Sequence, residues 1–348
     1  MGNSGKTKKI GILTAGGDCP GLNAAIRGVG KTAIIEYGME VYGFTAGFLG
    51  LINREYIILR ESQLSGILTV GGTILGTSRE KPYKGYDNGN NDQDKPEKIL
   101  STYKDLGLDC IVCIGGNGTM KTAHMISQEG MNVIGIPKTI DNDVWGTDVT
   151  FGFDSAVQIA TDAIDRLHNT ANSHQRVMII EVMGHNAGWL ALYSGTAGGG
   201  DIILIPELPY NIRAVCKKIE SRFAEKKPYS IVVVAEGIEH PKNRSAGSFI
   251  AEAIRIYTDM ETRETVLGYI QRGGSPTPND RILATRYGAF AAQCIAEGCY
   301  GTMVAMNRGD LTAVPLSEVG NKLRLVDTEN PLILKGRKMG VSFGDEEL

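Results

Sequence analysis

Cys110-Ile111-Val112-Cys113-Ile114-Gly115-Gly116-Asn117-Gly118-Thr119 joins a short apolar run to a glycine-rich turn, and a helical pattern begins near Met120. A run apolar on both faces reads as a strand buried in a parallel sheet with helices over it. Similar runs lie at Ile10–Thr14, Asn132–Ile136, Val177–Met183, Ile202–Ile205 and Ser230–Ala235. Helical patterns separate them. In Ala156–Leu167, the residues Ala156, Ile159, Ala160, Ala163, Ile164 and Leu167 recur at three- and four-residue spacing, and Asp154 or Ser155 is placed to cap the start. Strand–helix alternation of this kind predicts an α/β fold with right-handed crossovers.

Ligands of such sheets gather at the carboxyl ends of the strands, where this chain puts its unusual loops. Ala15-Gly16-Gly17-Asp18 follows one strand, Gly115–Thr119 another, and Pro137-Lys138-Thr139-Ile140-Asp141-Asn142-Asp143 a third. Glycines at 116 and 118, flanking Asn117 and followed by Thr119, let backbone N–H groups approach a phosphate, and a helix N-terminus adds a favourable field. The plain alternative is an ordinary strand–helix turn. Phosphoryl transfer to an alcohol needs a carboxylate to take the hydroxyl proton and cations to neutralise the moving group. Asp141 as base, with Lys138 and a Mg²⁺ ion as charge stabilisers, meets that need; the competing reading is an Asx-capped turn.

Composition narrows the class. Glycine makes up 45 of 348 residues, about twice the ordinary share, without a Gly-X-Y period or a serine-rich tract. Lys plus Arg (36) against Asp plus Glu (39) gives a net charge of −3, which argues against a nucleic-acid partner. No apolar run reaches a membrane span, and the first nine residues read as a short solvated basic tail without a secretion signal. Six scattered cysteines suit a reducing cytoplasm. Cys110 and Cys113 form a CxxC, but along a strand they point to opposite faces, so no metal or redox site is expected. The stretch 86–97 is polar and aperiodic and is expected to be an exposed loop.

Gly28-Val29-Gly30-Lys31-Thr32 looks like the end of a P-loop, but Ala25 stands where the pattern needs glycine. Leu22, Ala25, Ile26, Val29 and Ala33 also run a helical stripe through it, so it is expected to be helix. Arg176, Arg263 and Arg272 punctuate strand ends and glycine turns, where guanidinium forks suit a phosphomonoester, although each taken singly reads first as a solvated surface arginine. Of the five histidines, His185 alone sits in a glycine-framed turn, and no pair has metal-ligand spacing.

In this order, the segments 16–27, 71–79, 115–119, 137–143, 173–176, 181–188 and 261–276 closely resemble the phosphofructokinases, over about residues 9 to 310. The resemblance implies transfer of a phosphoryl group, with Mg²⁺, to the 1-hydroxyl of fructose 6-phosphate. It also implies a two-lobed fold, each lobe a largely parallel sheet flanked by helices. Residues 9–152 plus 271–310 are expected to form the donor lobe, 153–270 plus 311–348 the sugar-phosphate lobe, with the site between them. By the same resemblance Asp141 is the base and Thr139 its neighbour at the sugar's reacting end. Met183, Gly184 and His185 form the sugar-binding turn, and Glu236 holds sugar hydroxyls. Arg176, Arg263, Tyr269 and Arg272 belong to the 6-phosphate site. Arg176 and Arg263 are implied to reach across from a neighbouring subunit, which makes a homodimer or homotetramer. Gly17, Arg79 and Gly116–Thr119 contact the donor.

The resemblance leaves the donor open between ATP and pyrophosphate. Gly118 is ATP-like, because pyrophosphate users carry Asp there, where it repels an α-phosphate; Lys138 is pyrophosphate-like. ATP is the expected donor, since a missing obstruction admits it and Lys138 serves either. Asn117 replaces the usual Mg²⁺-associated Asp; Asn117 and Asp143 are the candidate ligands, and either Asp143 with the donor phosphates carries the metal or its affinity is reduced. Lys31 replaces an effector-binding Arg of regulated relatives. The competing readings are a reversible pyrophosphate enzyme, an NAD or lipid kinase, and a non-catalytic sugar-phosphate-binding subunit.

Overall fold

The computed structural model describes residues 7–83 and 94–347. In chain order the strands begin with β1 (Lys9–Thr14), β2 (Glu40–Phe44), β3 (Tyr56–Leu59), β4 (Cys110–Gly115) and β5 (Val133–Pro137). They continue with β6 (Val177–Val182), β7 (Ile202–Leu204), β8 (Ser230–Ala235) and β9 (Thr262–Val266). β10 (Thr302–Asn307) and β11 (Asp310–Pro315) complete the series.

Two compact units divide the described residues. The first holds residues up to Thr139, Val144–Gly152 and Arg272–Leu323; the second holds Ile140–Asp143, Phe153–Gln271 and Arg324 onward. The first unit has a seven-stranded sheet in the order β11-β10-β5-β4-β1-β2-β3, the second a four-stranded sheet in the order β7-β8-β6-β9. Strands β10, β5, β4, β1 and β2 run parallel, with antiparallel β11 and β3 at the edges. The second sheet is parallel throughout. β4 is buried along its whole length, as its unbroken apolar run requires.

Register places the loops. Thr14 pairs with Ile114, and Gly115 with Pro137, so the chain leaves β1, β4 and β5 at one edge of the first sheet. The core beneath packs Leu13, Phe44, Ile111, Cys113, Met120, Val133 and Met303. Residues 28–32 lie inside the helix Leu22–Ile35. A Cβ at Gly28 would sit 2.8 Å from the carbonyl oxygen of Thr285, and one at Gly288 would sit 2.6 Å from that of Ala25. The P-loop-like glycines therefore serve a close crossing with the helix Pro278–Glu297.

Several expectations need correction. The helix after β4 begins at Asn117 rather than near Met120, with Gly116 at its N-cap. The helix over 156–167 extends from Phe153 to His174, so Asp154 and Ser155 lie inside its first turn rather than before it. Residues 86–93 of the polar stretch lie outside the described residues; 94–97 open the helix Asp94–Leu106, whose first turn carries Asp94 and Glu97 where a helix favours negative charge. Lys8 and Lys9 are not tail: Lys9 starts β1, and the Lys8 ammonium donates to the Ile295 carbonyl at 2.7 Å. Cys110 and Cys113 are both buried, and burial pushes both thiols well above their ordinary range. Among the described residues no helix is long and apolar enough to cross a membrane.

Candidate active site

In the first unit, residues 71–79 are stapled onto the loop after β1. The Gly16 N–H donates to the Ser78 carbonyl at 3.0 Å, and the Thr77 hydroxyl donates to the Gly16 carbonyl at 2.7 Å. Gly16 takes a φ of 84°, a left-handed turn that glycine accepts freely. Lys138 ties this loop to the next: its N–H donates to the Gly115 carbonyl at 2.9 Å and its ammonium donates to the Gly17 carbonyl. Its side chain is buried, which makes it a desolvated cation beside two sets of backbone amides.

The glycine turn 115–119 is the start of a helix. The Thr119 and Met120 N–H groups bond back to the Gly116 carbonyl at 2.9 and 3.0 Å. Asn117, Gly118 and Thr119 occupy the first turn, where the helix dipole favours an anion. A Cβ added at Gly118 would meet nothing within 4 Å. Arg272 also belongs to this unit: its Nη1 donates to the Asp18 carbonyl at 3.1 Å and lies 2.7 Å from where a Cβ at Gly17 would stand. Its Nε is buried without a hydrogen-bond partner among the described residues. Arg79 is exposed on the 71–79 segment. The Thr139 carbonyl accepts from the Thr150 hydroxyl at 2.8 Å, which fixes the end of the loop after β5.

In the second unit, Met183, Gly184 and His185 follow β6 and Glu236 follows β8. The Glu236 N–H donates to the Val182 carbonyl at 2.9 Å, and its Oε1 accepts the His185 N–H at 2.9 Å. Burial raises the Glu236 carboxyl above its ordinary value, and the negative charges of Asp141 and Glu181 push the same way against that hydrogen bond. Two carboxylates, at 141 and 236, thus act on each other electrostatically. Asn142, next to Asp141, takes a left-handed φ of 54° and is buried, as is Asp143.

The remaining predicted residues separate within this unit. Arg176 precedes β6, whereas Met183 follows it, so they stand at opposite ends of a six-residue strand, a separation of about 20 Å. Arg263 is at the Arg176 end, on β9, where the Val177 N–H reaches the Glu261 carbonyl at 3.0 Å. Tyr269, 73% exposed, follows the other end of β9. Two contributors were not read from the sequence. Gln271 is fully buried and accepts the Met183 N–H at 3.4 Å, and Glu261 pairs with both Arg176 and Arg263. The sequence signal for the first was its place directly before Arg272 and the Gly273-Gly274 turn; Glu261 gave none.

Two units with largely parallel sheets, whose glycine-framed loops leave the strand ends, define an α/β protein of the two-sheet class. A family model described as phosphofructokinase matches residues 9–295. The chain belongs to the phosphofructokinase family. It is 59% identical over 97% of its length to all of an ATP-dependent 6-phosphofructokinase 3 of Bacteroides thetaiotaomicron. It is 55% identical over 97% of its length to 98% of an ATP-dependent 6-phosphofructokinase of Spirochaeta thermophila. Among solved structures, a Pichia pastoris phosphofructokinase in the T-state is 31% identical with a TM-score of 0.82, over 91% of this chain and 36% of that one.

Proposed function

We propose that the protein transfers the γ-phosphoryl group of ATP to the 1-hydroxyl of fructose 6-phosphate, giving fructose 1,6-bisphosphate and ADP. The relatives' names supply the substrates. The observation that carries ATP over pyrophosphate is Gly118, an exposed glycine in the first turn of its helix with open space where a side chain would begin. An α-phosphate bearing a nucleoside needs that space; an aspartate would fill it with like charge.

In this reading the first unit takes the donor. The 116–119 loop, with Gly17 and Arg79 alongside, receives its phosphates, and the Lys138 cation stabilises the charge spread over the transferring group. The second unit takes the sugar. Asp141 accepts the proton of the 1-hydroxyl as its oxygen attacks phosphorus and the bond to the ADP oxygen breaks; the proton then passes to solvent. Thr139 flanks that oxygen, Glu236 and the 183–185 turn orient the ring, and Tyr269 and Arg272 stand by the 6-phosphate. Arg176 and Arg263 lie at the far edge of their own sheet, which supports their service to a neighbouring copy's sugar phosphate and hence a homodimer or homotetramer.

Mg²⁺ takes one or two carboxylates and completes its shell with water and substrate phosphates. Among the described residues no cluster of three or more His, Cys, Asp or Glu side chains is poised to hold a metal, and a donor-borne Mg²⁺ requires none. Asp143, with the Asn117 amide, would hold it, and when bound it neutralises charge on the donor's oxygens. Five buried free cysteines support a reducing, cytoplasmic setting.

The test is purified protein with fructose 6-phosphate and Mg²⁺, given ATP or pyrophosphate in parallel. Turnover with ATP well above that with pyrophosphate is expected. The reverse order overturns the donor, and turnover with neither favours a binding subunit.

A further inference from the structure

We infer that Arg324 is a positioning residue that sets the direction of the Asp141 carboxylate relative to the sugar-binding turn. The inference rests on the function proposed above. Arg324 lies beyond the family match, which ends at residue 295, yet it grips the turn that carries Asp141 from two sides. Its N–H donates to the Asp143 carbonyl at 2.9 Å, and its Nη1 donates to the Asn142 carbonyl at 3.0 Å. Those are the carbonyls of the two residues that follow Asp141. The first of them belongs to Asn142, at a φ of 54°, in the left-handed region that asparagine enters more readily than most other non-glycine residues. A bond to the carbonyl of Asn142 constrains ψ there, and so the course of the turn.

Arg324 is itself held. Its guanidinium lies 4.0 Å from the ring centroid of Trp189, and the Trp189 indole N–H donates to the Arg324 carbonyl at 2.8 Å. Trp189 is 5% exposed and opens the helix Trp189–Ala197, directly after the turn bearing Met183, Gly184 and His185. Glu207 reinforces this joint. It accepts the Gly188 N–H at 2.9 and 3.0 Å and the Val326 N–H at 2.9 Å. Arg324 is thus a bracket inside the second unit, with the acid-bearing turn on one side and the base of the sugar-binding turn on the other. A planar, stacked guanidinium suits this role because it can lie on the indole face while one fork nitrogen reaches a carbonyl. An ammonium on a flexible stem cannot do both.

The test compares wild type, Arg324→Ala and Arg324→Lys in three readouts: kcat and KM for fructose 6-phosphate and ATP, Tm, and hydrogen–deuterium exchange of the unliganded protein over residues 140–146. Displacing a reacting group by about 1 Å costs up to roughly 100-fold. Arg324→Ala should lower kcat about 30-fold, leave both KM values within about threefold and speed exchange in 140–146. Arg324→Lys should recover only part of kcat. A merely structural role would lower Tm and leave kcat per folded molecule unchanged. Wild-type kcat in Arg324→Ala, or unaltered exchange over 140–146, overturns the inference. Should the alanine variant not fold, Arg324→Lys decides on the same two readouts. Absence of fructose 6-phosphate turnover in the wild type is a failure of the proposed function instead; unaltered exchange alone then still overturns the bracket.

Discussion

The Glu261 carboxylate accepts a hydrogen bond from the Nε of Arg176 at 2.6 Å. Its other oxygen takes the Nη2 of Arg263 at 2.5 Å. The Arg176 hydrogen bond, followed by the charges of both arginines, holds the carboxyl below its ordinary value, so it stays ionised across the neutral range. It therefore occupies donors that a sugar phosphate would use. Replacing it with an uncharged acceptor removes the competitor. Glu261→Gln should lower KM for fructose 6-phosphate about two- to fivefold at low salt, with the gain fading as ionic strength screens it. A titration of KM against salt reads this, and a raised KM at every salt concentration would contradict it.

Asp141 carries the proton step in the proposed mechanism, and Asn is its closest shape without basicity. General-base groups contribute typically 100- to 10,000-fold. Asp141→Asn should therefore lower kcat by about three orders of magnitude while KM for fructose 6-phosphate changes less than about threefold. Steady-state kinetics on the purified variant measures both, and near-wild-type turnover would remove Asp141 from the role.

Glu236 makes stability depend on pH in a definite direction. Its carboxyl is raised in the fold, chiefly by burial, above the ordinary value of 4.5. Its contribution to stability is thus fully present below the ordinary value and is lost as pH rises through the higher folded value. Glu236→Gln removes the disfavoured charge and keeps an acceptor for the His185 N–H. Its Tm should exceed that of wild type at about pH 8, and the gap should close by about pH 4. The same variant should bind fructose 6-phosphate less well. Parallel thermal melts across pH check the first claim, and a gap that widens on acidification would reverse the sign.

Gly118 sets the donor in this reading. A side chain there has room to stand without disturbing the helix, so Gly118→Asp tests the donor rather than the fold. The kcat/KM for ATP should fall at least tenfold more than that for pyrophosphate, as like-charge repulsion at an α-phosphate predicts. Equal losses with both donors would mean that the open space plays no part in donor choice.

The parts of this chain that could be read in advance are those where one physical requirement dominates. β4, β5 and β8 are unbroken apolar runs because helices cover both faces, and the loops behind β1, β4 and β5 follow from where parallel strands end. β9 and β11 escaped because their residues are largely exposed, so Thr262-Arg-Glu-Thr-Val and Asp310-Leu-Thr-Ala-Val-Pro carry little apolar signal. β2 is interrupted by Gly43 and opens on Glu40, and β10 mixes Thr302 and Val304 with two methionines, an alanine and an asparagine, so neither is a run of β-branched residues. In the candidate site, the acid and the glycine loops announce themselves by type and place. Arg324 does not: its carbonyl partner Asn142 is 182 positions away, and only the folded second unit puts an unremarked arginine on that turn.

Arg176 and Met183 stand at opposite ends of β6, and this separation makes the shared-site proposal testable without a structure of the assembly. A chain that lends Arg176 to its neighbour needs the neighbour's Asp141 for that same site. Asp141→Asn and Arg176→Ala should each be nearly inactive alone. Mixed, dissociated and reassembled in equal amounts, they form hybrids in which one site receives an intact Asp141 from one chain and an intact Arg176 from the other. Random pairing makes half of the dimers hybrid with one sound site in two, so activity should return to roughly a quarter of wild type. If both residues served a site within one chain, every site in the mixture would still lack one of them. Activity would then stay at the sum of the two variants, however long they were allowed to exchange.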